Sequence, residues 1–288
     1  MLTVNDSGDG PYVYWVDPRT GRTTAVTTYD DEDPRDVEAL APGRGRTLWV
    51  ADIGDNHRLR STVTVHRLPL APGRVQGQRF ELAYPDRAQD AEALLVHPRT
   101  GRLFVVTKVP VLGGGVYRAP AQLSPDGVNE LTRVGDAPPT VTDGAFLPGG
   151  RHVVLRSYGS ATVLTQPGFE PVRTVPLPEQ ELGEGVAPVG GGRVWLSSEG
   201  AGSAVLEVRL PVPGPAVRAG GAASPRPPDG TAAGPAAAAT DANDPATPED
   251  EGDGVGLGRP KGYAVVAALA ALVGVLVRAS RRRSRRRR

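Results

Sequence analysis

The chain of 288 residues contains no cysteine. That excludes a disulfide framework, thiolate metal ligation and a thiol nucleophile. It does not exclude export, because the absence of disulfides is no bar to leaving the cytoplasm. Also missing are a Gly-x-Ser-x-Gly elbow and a Gly-x-x-x-x-Gly-Lys loop, so the sequence offers neither a serine-hydrolase nucleophile nor a phosphate cradle. The four histidines, His57, His66, His97 and His152, share no metal-ligand spacing. His97 and His152 fall where a surface histidine is expected. Gly113-Gly114-Gly115 has no helix after it and reads as a flexible hairpin turn. No amphipathic helical period stands out in residues 1–211.

The net charge of +1 conceals a segregation. Residues 259–288 hold ten Lys/Arg and no acid, which leaves residues 1–258 with 23 basic and 32 acidic residues, a net of −9. An acidic body excludes nucleic acid as its partner, since phosphate recognition needs clustered Lys/Arg on the folded domain.

What is present is a repeat. Four times an acidic residue opens an apolar strand, a Gly-Arg turn follows, and a second strand ends in a polar residue. The copies start Asp36-Val37-Glu38, Asp90-Ala91-Glu92, Thr142-Asp143 and Gly183-Glu184, and turn at Gly45-Arg46, Gly101-Arg102, Gly150-Arg151 and Gly192-Arg193. Six residues after each turn arginine stand Asp52, Lys108, Ser157 and Glu199. The markers Glu38, Glu92, Asp143 and Glu184 are 54, 51 and 41 residues apart. That is the length of a four-stranded propeller blade. Third strands are predicted over 62–67, 115–118, 161–164 and 204–209, and fourth strands over 79–84, 131–134 and 172–175. The expectation is an all-β fold, a β-propeller over residues 1–211 with five blades (six is the alternative count). The first blade is incomplete, its inner strand expected upstream of Met1.

Residues 212–258 are rich in Pro, Ala, Gly and acids, without aromatics. They cannot bury enough apolar surface to offset ordering entropy and are expected to form a disordered stalk. Gly262 to Val277 is uncharged and apolar, with Lys261 before it and an Arg-rich run after it. This predicts one C-terminal transmembrane helix, stretched by snorkelling Lys261 and Arg278. The Arg-rich tail would lie in the cytoplasm by the positive-inside rule and the propeller outside the cell. That topology requires an export signal, expected upstream of Met1. A tail anchor with the repeats in the cytosol is the competing topology. The Leu-Pro-x-Thr-Gly motif of wall sorting is absent.

The runs Val4-Asn5-Asp6-Ser7-Gly8-Asp9, Ala51-Asp52-Ile53-Gly54-Asp55-Asn56, Asp90-Ala91-Glu92-Ala93-Leu94 and Leu155-Arg156-Ser157-Tyr158 resemble a group of exported β-propeller proteins of high-GC Gram-positive bacteria. The resemblance covers roughly residues 2–211. It implies fold and compartment and brings no activity. A looser likeness, to secreted propellers assigned as esterases or lactonases, is analogy of fold alone.

A strand start and the end of its hairpin partner meet at one sheet edge. Asp36 and Glu38 should therefore lie near Asp52 and Asp55, Glu92 near Lys108, Asp143 near Arg156, and Glu184 near Glu199. Together these ten residues ring one mouth of the channel as candidate ligand-binding residues, joined from the first blade by Asn5, Asp6 and Asp9. Three roles are open to the acids. They can accept backbone N–H groups of the next blade and lock the ring, hold a divalent cation such as Ca²⁺, or contact a ligand. Lys108 and Arg156 are each expected to pair with a neighbouring acid. The functional expectation is a membrane-anchored binding or scaffolding module for a cell-surface protein or glycan. The alternative is a metal-dependent hydrolase of esters, lactones or phosphates, for which Glu38, Asp52, Glu92 and Glu184 are the only candidates to hold the metal and supply a base.

Overall fold

The computed structural model describes residues 1–5, 9–31 and 34–211. All of them lie in the first of the two units into which the chain divides, Met1–Gly221. The expected stalk, membrane helix and Arg-rich tail lie outside the described residues, as do Asp6 and the acidic pair at 32–33. Among the described residues no helix is long and apolar enough to cross a membrane, and every regular element is a strand.

In chain order the first blade holds β1 (Leu2–Thr3), β2 (Tyr12–Val16) and β3 (Thr23–Tyr29). The second holds β4 (Val37–Pro42), β5 (Thr47–Asp52), β6 (Val63–Pro69), the short β7 (Gly73–Val75) and β8 (Gln78–Ala83). The third holds β9 (Ala91–Val96), β10 (Leu103–Thr107), β11 (Gly114–Arg118), the short β12 (Val128–Glu130) and β13 (Thr132–Ala137). The fourth runs β14 (Val141–Phe146), β15 (His152–Ser157), β16 (Ser160–Thr165) and β17 (Pro171–Pro176). The fifth is β18 (Gly183–Gly190), β19 (Arg193–Ser198) and β20 (Leu206–Arg209). Five antiparallel meanders of this kind make a five-bladed β-propeller.

The repeat signals identified in the sequence carry the geometry. Gly45, Gly101, Gly150 and Gly192 all sit at positive φ, between 68° and 74°. A side chain there would be strained, so the Gly-Arg pair closes each inner hairpin. Strands β4, β9, β14 and β18 form the inner edges of their sheets and pack on one another in that order. The first sheet, ordered β1-β2-β3-β7, has no counterpart of these inner strands among the described residues. The triglycine is not a flexible turn: Gly114 and Gly115 open β11, and Gly115 N–H donates to Thr107 Oγ1 at 2.8 Å.

Two short strands were not visible in the sequence. Within its blade, β7 pairs in parallel with β3 of the blade before, and β12 pairs in parallel with β8 in the same way. Each is a loop that clips its blade to the outer edge of its predecessor. In the fourth blade the same loop seats Phe169 against Phe104 and over Gly135 instead. Four apolar cores lie between the five sheets. Val13 and Tyr29 face Val50 and Leu68, then Trp49 and Phe80 face Leu94 and Val105. Phe104 and Val106 face Val153 and Phe169, and Val154 and Val163 face Val194 and Leu196. Each buried side chain of this size contributes about 1.5–3 kcal/mol, so flat sheets with alternating faces stack into a propeller without helices. His97, expected at the surface, is buried; its ring packs edge-on to Phe146 and its Nδ1 accepts the N–H groups of Arg99 and Thr100.

Candidate functional site

Every inner hairpin breaks register at the same end. The shifts fall between Val37 and Ala39, opposite Ala91 and Ala93, between Val141 and Asp143, and between Gly183 and Val186. The residues skipped are Glu38, Glu92, Thr142 and the pair Glu184-Gly185. A bulge re-aims a side chain that regular pleating would send into the sheet packing. Here it turns three glutamates toward the mouth. In the fourth blade the bulged residue is Thr142, whose Oγ lies 3.1 and 3.0 Å from the carbonyl oxygens of Gly183 and Glu184. Asp143, read in the sequence as the equivalent of Glu38 and Glu92, stands one residue further on.

The ten candidate residues separate by what they touch. One set serves the backbone, within a blade or across a blade joint. Asp52 is buried and accepts the backbone N–H of Arg35 at 3.1 Å and Asp36 at 3.0 Å, together with Arg60 Nη1 at 2.7 Å. Asp55 accepts the N–H groups of Leu59 and Arg60, at 3.0 and 2.7 Å. Its own N–H donates to Asp90 Oδ1 of the next blade at 2.9 Å. Asp143 accepts Val186 N–H of the fifth blade and its neighbour Gly144 N–H, both at 2.7 Å. Arg156 is fully buried and donates across the same interface, from Nη1 to the carbonyls of Gly185 and Ser197 and from Nη2 to Gln180 Oε1. The expectation that Arg156 hydrogen-bonds an acid is thereby corrected. Strands β18 and β19 present it with carbonyls, and Asp143 and Glu184 act on it only through their charge.

Asp90→Ala removes the charged acceptor of the Asp55 N–H and leaves that donor buried. An unsatisfied buried donor costs about 1–3 kcal/mol, so urea unfolding should show a loss of about 2 kcal/mol. An unchanged midpoint would mean that this bond does not hold the second and third blades together.

The other set forms a polar chain from blade to blade. Glu38 of the second blade acts on the Glu92 carboxyl of the third. Glu92 Oε1 accepts Lys108 Nζ at 2.8 Å, and Lys108 lies 5.4 Å from the ring centre of Tyr158 in the fourth blade. Glu184 of the fifth blade is felt electrostatically by Lys108 and in turn feels Glu92, Glu199 and Arg156. Burial pushes the Glu92 carboxyl up, against the pull of Lys108. Burial likewise pushes Glu184 up to about 8, opposed by Lys108 and reinforced by Glu92 and Glu199. Asp143 rises to about 7, again by burial, against two backbone N–H donors. Lys108 loses solvation, yet Glu92 holds its ammonium above the usual lysine range. Asp36 accepts Asn56 Nδ2 at 3.3 Å beside Gly54, where a Cβ would strike both Asp36 and Glu38. In the first blade, Asn5 Nδ2 and Tyr14 Oη both donate to Asp9 Oδ2. Among the described residues, no three Asp, Glu or His side chains converge in the way a metal ion requires.

Three participants were not among the sequence's site candidates. Arg60 carries no motif and is fixed by Asp52 and Asp55 of its own blade, Asp90 opens the second repeat copy and takes the Asp55 N–H, and Tyr158 joins through Lys108.

No protein-family profile matches the chain, and no curated protein matches it in sequence. Solved structures do. A gluconolactonase of Xanthomonas campestris is 13% identical with a TM-score of 0.43, over 65% of this chain and 62% of that one. The periplasmic gluconolactonase PpgL of Pseudomonas aeruginosa is 17% identical with a TM-score of 0.35, over 75% of this chain and 69% of that one. The β-propeller domain of Cps50 (Swd1) from Myceliophteria thermophila is 12% identical with a TM-score of 0.39, over 65% and 56%. The chain thus spans 62% of the Xanthomonas protein. Likenesses at this level carry nothing about activity.

Proposed function

We propose that this protein is a membrane-anchored binding module, with the propeller held outside the cell by the apolar segment 262–277 and the Arg-rich tail in the cytoplasm. The observation that carries the binding role is the division of labour in the acidic ring. Asp52, Asp55, Asp90 and Asp143 spend their oxygens on backbone N–H groups. Glu38, Glu92 and Glu184 are instead displaced by bulges into a shared cluster with Lys108 and Tyr158. A convergent polar group at the mouth of a rigid ring is the form of a recognition site. General acid–base work would need a base positioned against a nucleophile or water, and the strongest pair here, Lys108 with Glu92, is a closed ion pair. The anchor is supported by the uncharged stretch from Gly262 to Val277 and the arginines that follow it.

The test uses the full chain in nanodiscs of zwitterionic lipid. Envelope glycan fragments and envelope proteins serve as separate analytes, compared with a Glu38→Gln, Glu92→Gln, Glu184→Gln triple variant. The expected result is binding of one analyte class, weakened about tenfold or more in the variant, without turnover of generic ester or lactone substrates. Turnover that the triple variant abolishes would replace this reading with the hydrolase.

A further inference from the structure

A cleft of about 1170 Å³ opens between the first and second blades. Its walls come from β2 and β3 on one side and from β5, β6 and β8 on the other. Recognition sites are concavities of roughly 300–1000 Å³, so this one has room for a ligand of several rings. None of Glu38, Glu92, Lys108, Tyr158 and Glu184 lines it, which makes it separate from the cluster at the mouth. The clip β7 builds part of the wall. Its pairing with β3 sets Arg74 opposite Thr28, and Arg74 Nη2 donates to Asp30 Oδ1 at 2.7 Å.

The charges lining the cleft answer one another. Arg79 Nη1 donates to Glu81 Oε1 at 2.8 Å, and Arg60 Nη1 to Asp52 Oδ1 at 2.7 Å. Asp31 Oδ2 lies 2.8 Å from His66 Nε2. Counting Arg35 and the Arg74–Asp30 pair, four guanidinium groups face four carboxylates, a lining of zero net charge. The two exposed pairs, Arg74–Asp30 and Arg79–Glu81, add little stability. What they provide is fixed donors and acceptors side by side. One buried donor is also unused. The Arg60 side chain is 9% exposed, and its Nε has no acceptor. A buried N–H left unmet is costly. The edge that carries it, Nε with Nη2, is the fork that suits two neighbouring oxygens. Tyr12, 38% exposed, adds an aromatic ring to the wall, braced edge-on by Tyr14 at 6.3 Å.

We infer that this cleft binds a neutral saccharide. Each sugar hydroxyl both donates and accepts, so vicinal hydroxyls bridge the outer atoms of a closed ion pair without breaking it. The carbon–hydrogen face of a sugar ring covers the Tyr12 ring. Other occupants suit the lining less. An anion meets four carboxylates, and a cation meets four guanidinium groups. A zwitterion would have to open pairs already closed at 2.7–2.8 Å. A peptide gains affinity from apolar anchors or from pairing with a free strand edge. Leu59 and Pro11 are the only aliphatic side chains among the described lining residues. The outer edges of β3 and β8 are already taken by β7 and β12. This inference goes beyond the binding reading above and uses none of its glutamates.

The test is calorimetric titration of the full chain in zwitterionic nanodiscs. The probes are the neutral oligosaccharides maltotriose, mannotriose and chitotriose, with trigalacturonate as the acidic comparison. At least one neutral probe should bind, and raised salt should leave its affinity unchanged, because no charge is screened. Tyr12→Ala and Arg79→Ala should each weaken that binding about tenfold. Their Tm should change little, because both side chains are exposed. Binding of trigalacturonate alone, falling with salt, would overturn the inference in favour of an anion site. Equal binding by both cleft variants would overturn it as well. If the Glu38→Gln, Glu92→Gln, Glu184→Gln variant then lost the sugar, the saccharide would belong to the mouth and the binding-module reading would stand. Silence of every neutral probe while an envelope protein still binds would overturn this inference alone. Silence of the probes and of both envelope analytes would overturn both.

Discussion

Arg156→Met is expected to lower the unfolding free energy by about 4 kcal/mol and to free the fifth blade before the rest. Two effects oppose each other. A buried guanidinium is costly, and exchanging a buried ion pair for apolar residues can be neutral or stabilising when all partners are exchanged together. Here the partners stay. Removing Arg156 strands the carbonyls of Gly185 and Ser197 and the Gln180 amide oxygen. A fully buried unsatisfied acceptor costs about 1–3 kcal/mol, and these three, on half-buried residues, each cost toward the lower end of that range. Asp143 and Glu184 also lose the cation that moderates them. The penalty therefore wins. Hydrogen exchange should show the amides of β18, β19 and β20 losing protection first, with Trp195 of β19 reporting the same event by fluorescence. Arg156→Lys should recover part of the loss, because an ammonium replaces the charge but not the fork that spans two strands and a side chain. Retained protection in the fifth blade would show that its apolar core with the fourth, Val154 and Val163 against Val194 and Leu196, suffices by itself.

That clamp marks where the sequence could be read and where it could not. Blade length, the Gly-Arg turns and the acids at strand starts are local, periodic signals, and they led to five blades with the inner strands where they stand. The pairing of Glu92 with Lys108 followed from the same strand-end logic. The bulges did not, because a one-residue register slip leaves no mark in composition. That is why Asp143 was aligned with Glu92 although Thr142 takes the bulged place. The role of Arg156 was hidden for a related reason. Its acceptors are backbone carbonyls 29 and 41 residues away, and carbonyls have no residue type to recognise. The clips β7 and β12 are three residues each, too short for alternation to show. The cleft between the first two blades was readable as residues but not as a site, since only the fold brings Tyr12 and Arg79 together.

Stability is expected to fall by on the order of 3 kcal/mol as pH rises from about 5 to 9. Asp143 is pushed up to about 7 and Glu184 to about 8, chiefly by burial. Both folded values exceed the ordinary carboxyl values of an unfolded chain, 3.8 and 4.5. The native state therefore binds more protons than the unfolded state throughout the interval between. A group raised in this way contributes fully below its unfolded value, and the contribution disappears as pH climbs through the folded value. Both side chains are half-buried, so solvent screening trims the full linkage figure. Lys108 adds no slope in this window, because its ammonium stays charged across it. Asp9 and Glu207 shift the other way, by hydrogen bonds to Tyr14 and to Trp195 and Arg193, and their contribution is lost only in stronger acid. Urea midpoints taken at unit intervals from pH 5 to pH 9 should decline. Asp143→Asn should flatten the decline up to about pH 7, and Glu184→Gln should flatten it up to about pH 8. A midpoint that holds level or climbs from pH 5 to pH 8 would mean that the backbone N–H donors on Asp143 outweigh its burial. The fourth and fifth blades would then be joined most firmly by an ionised carboxylate.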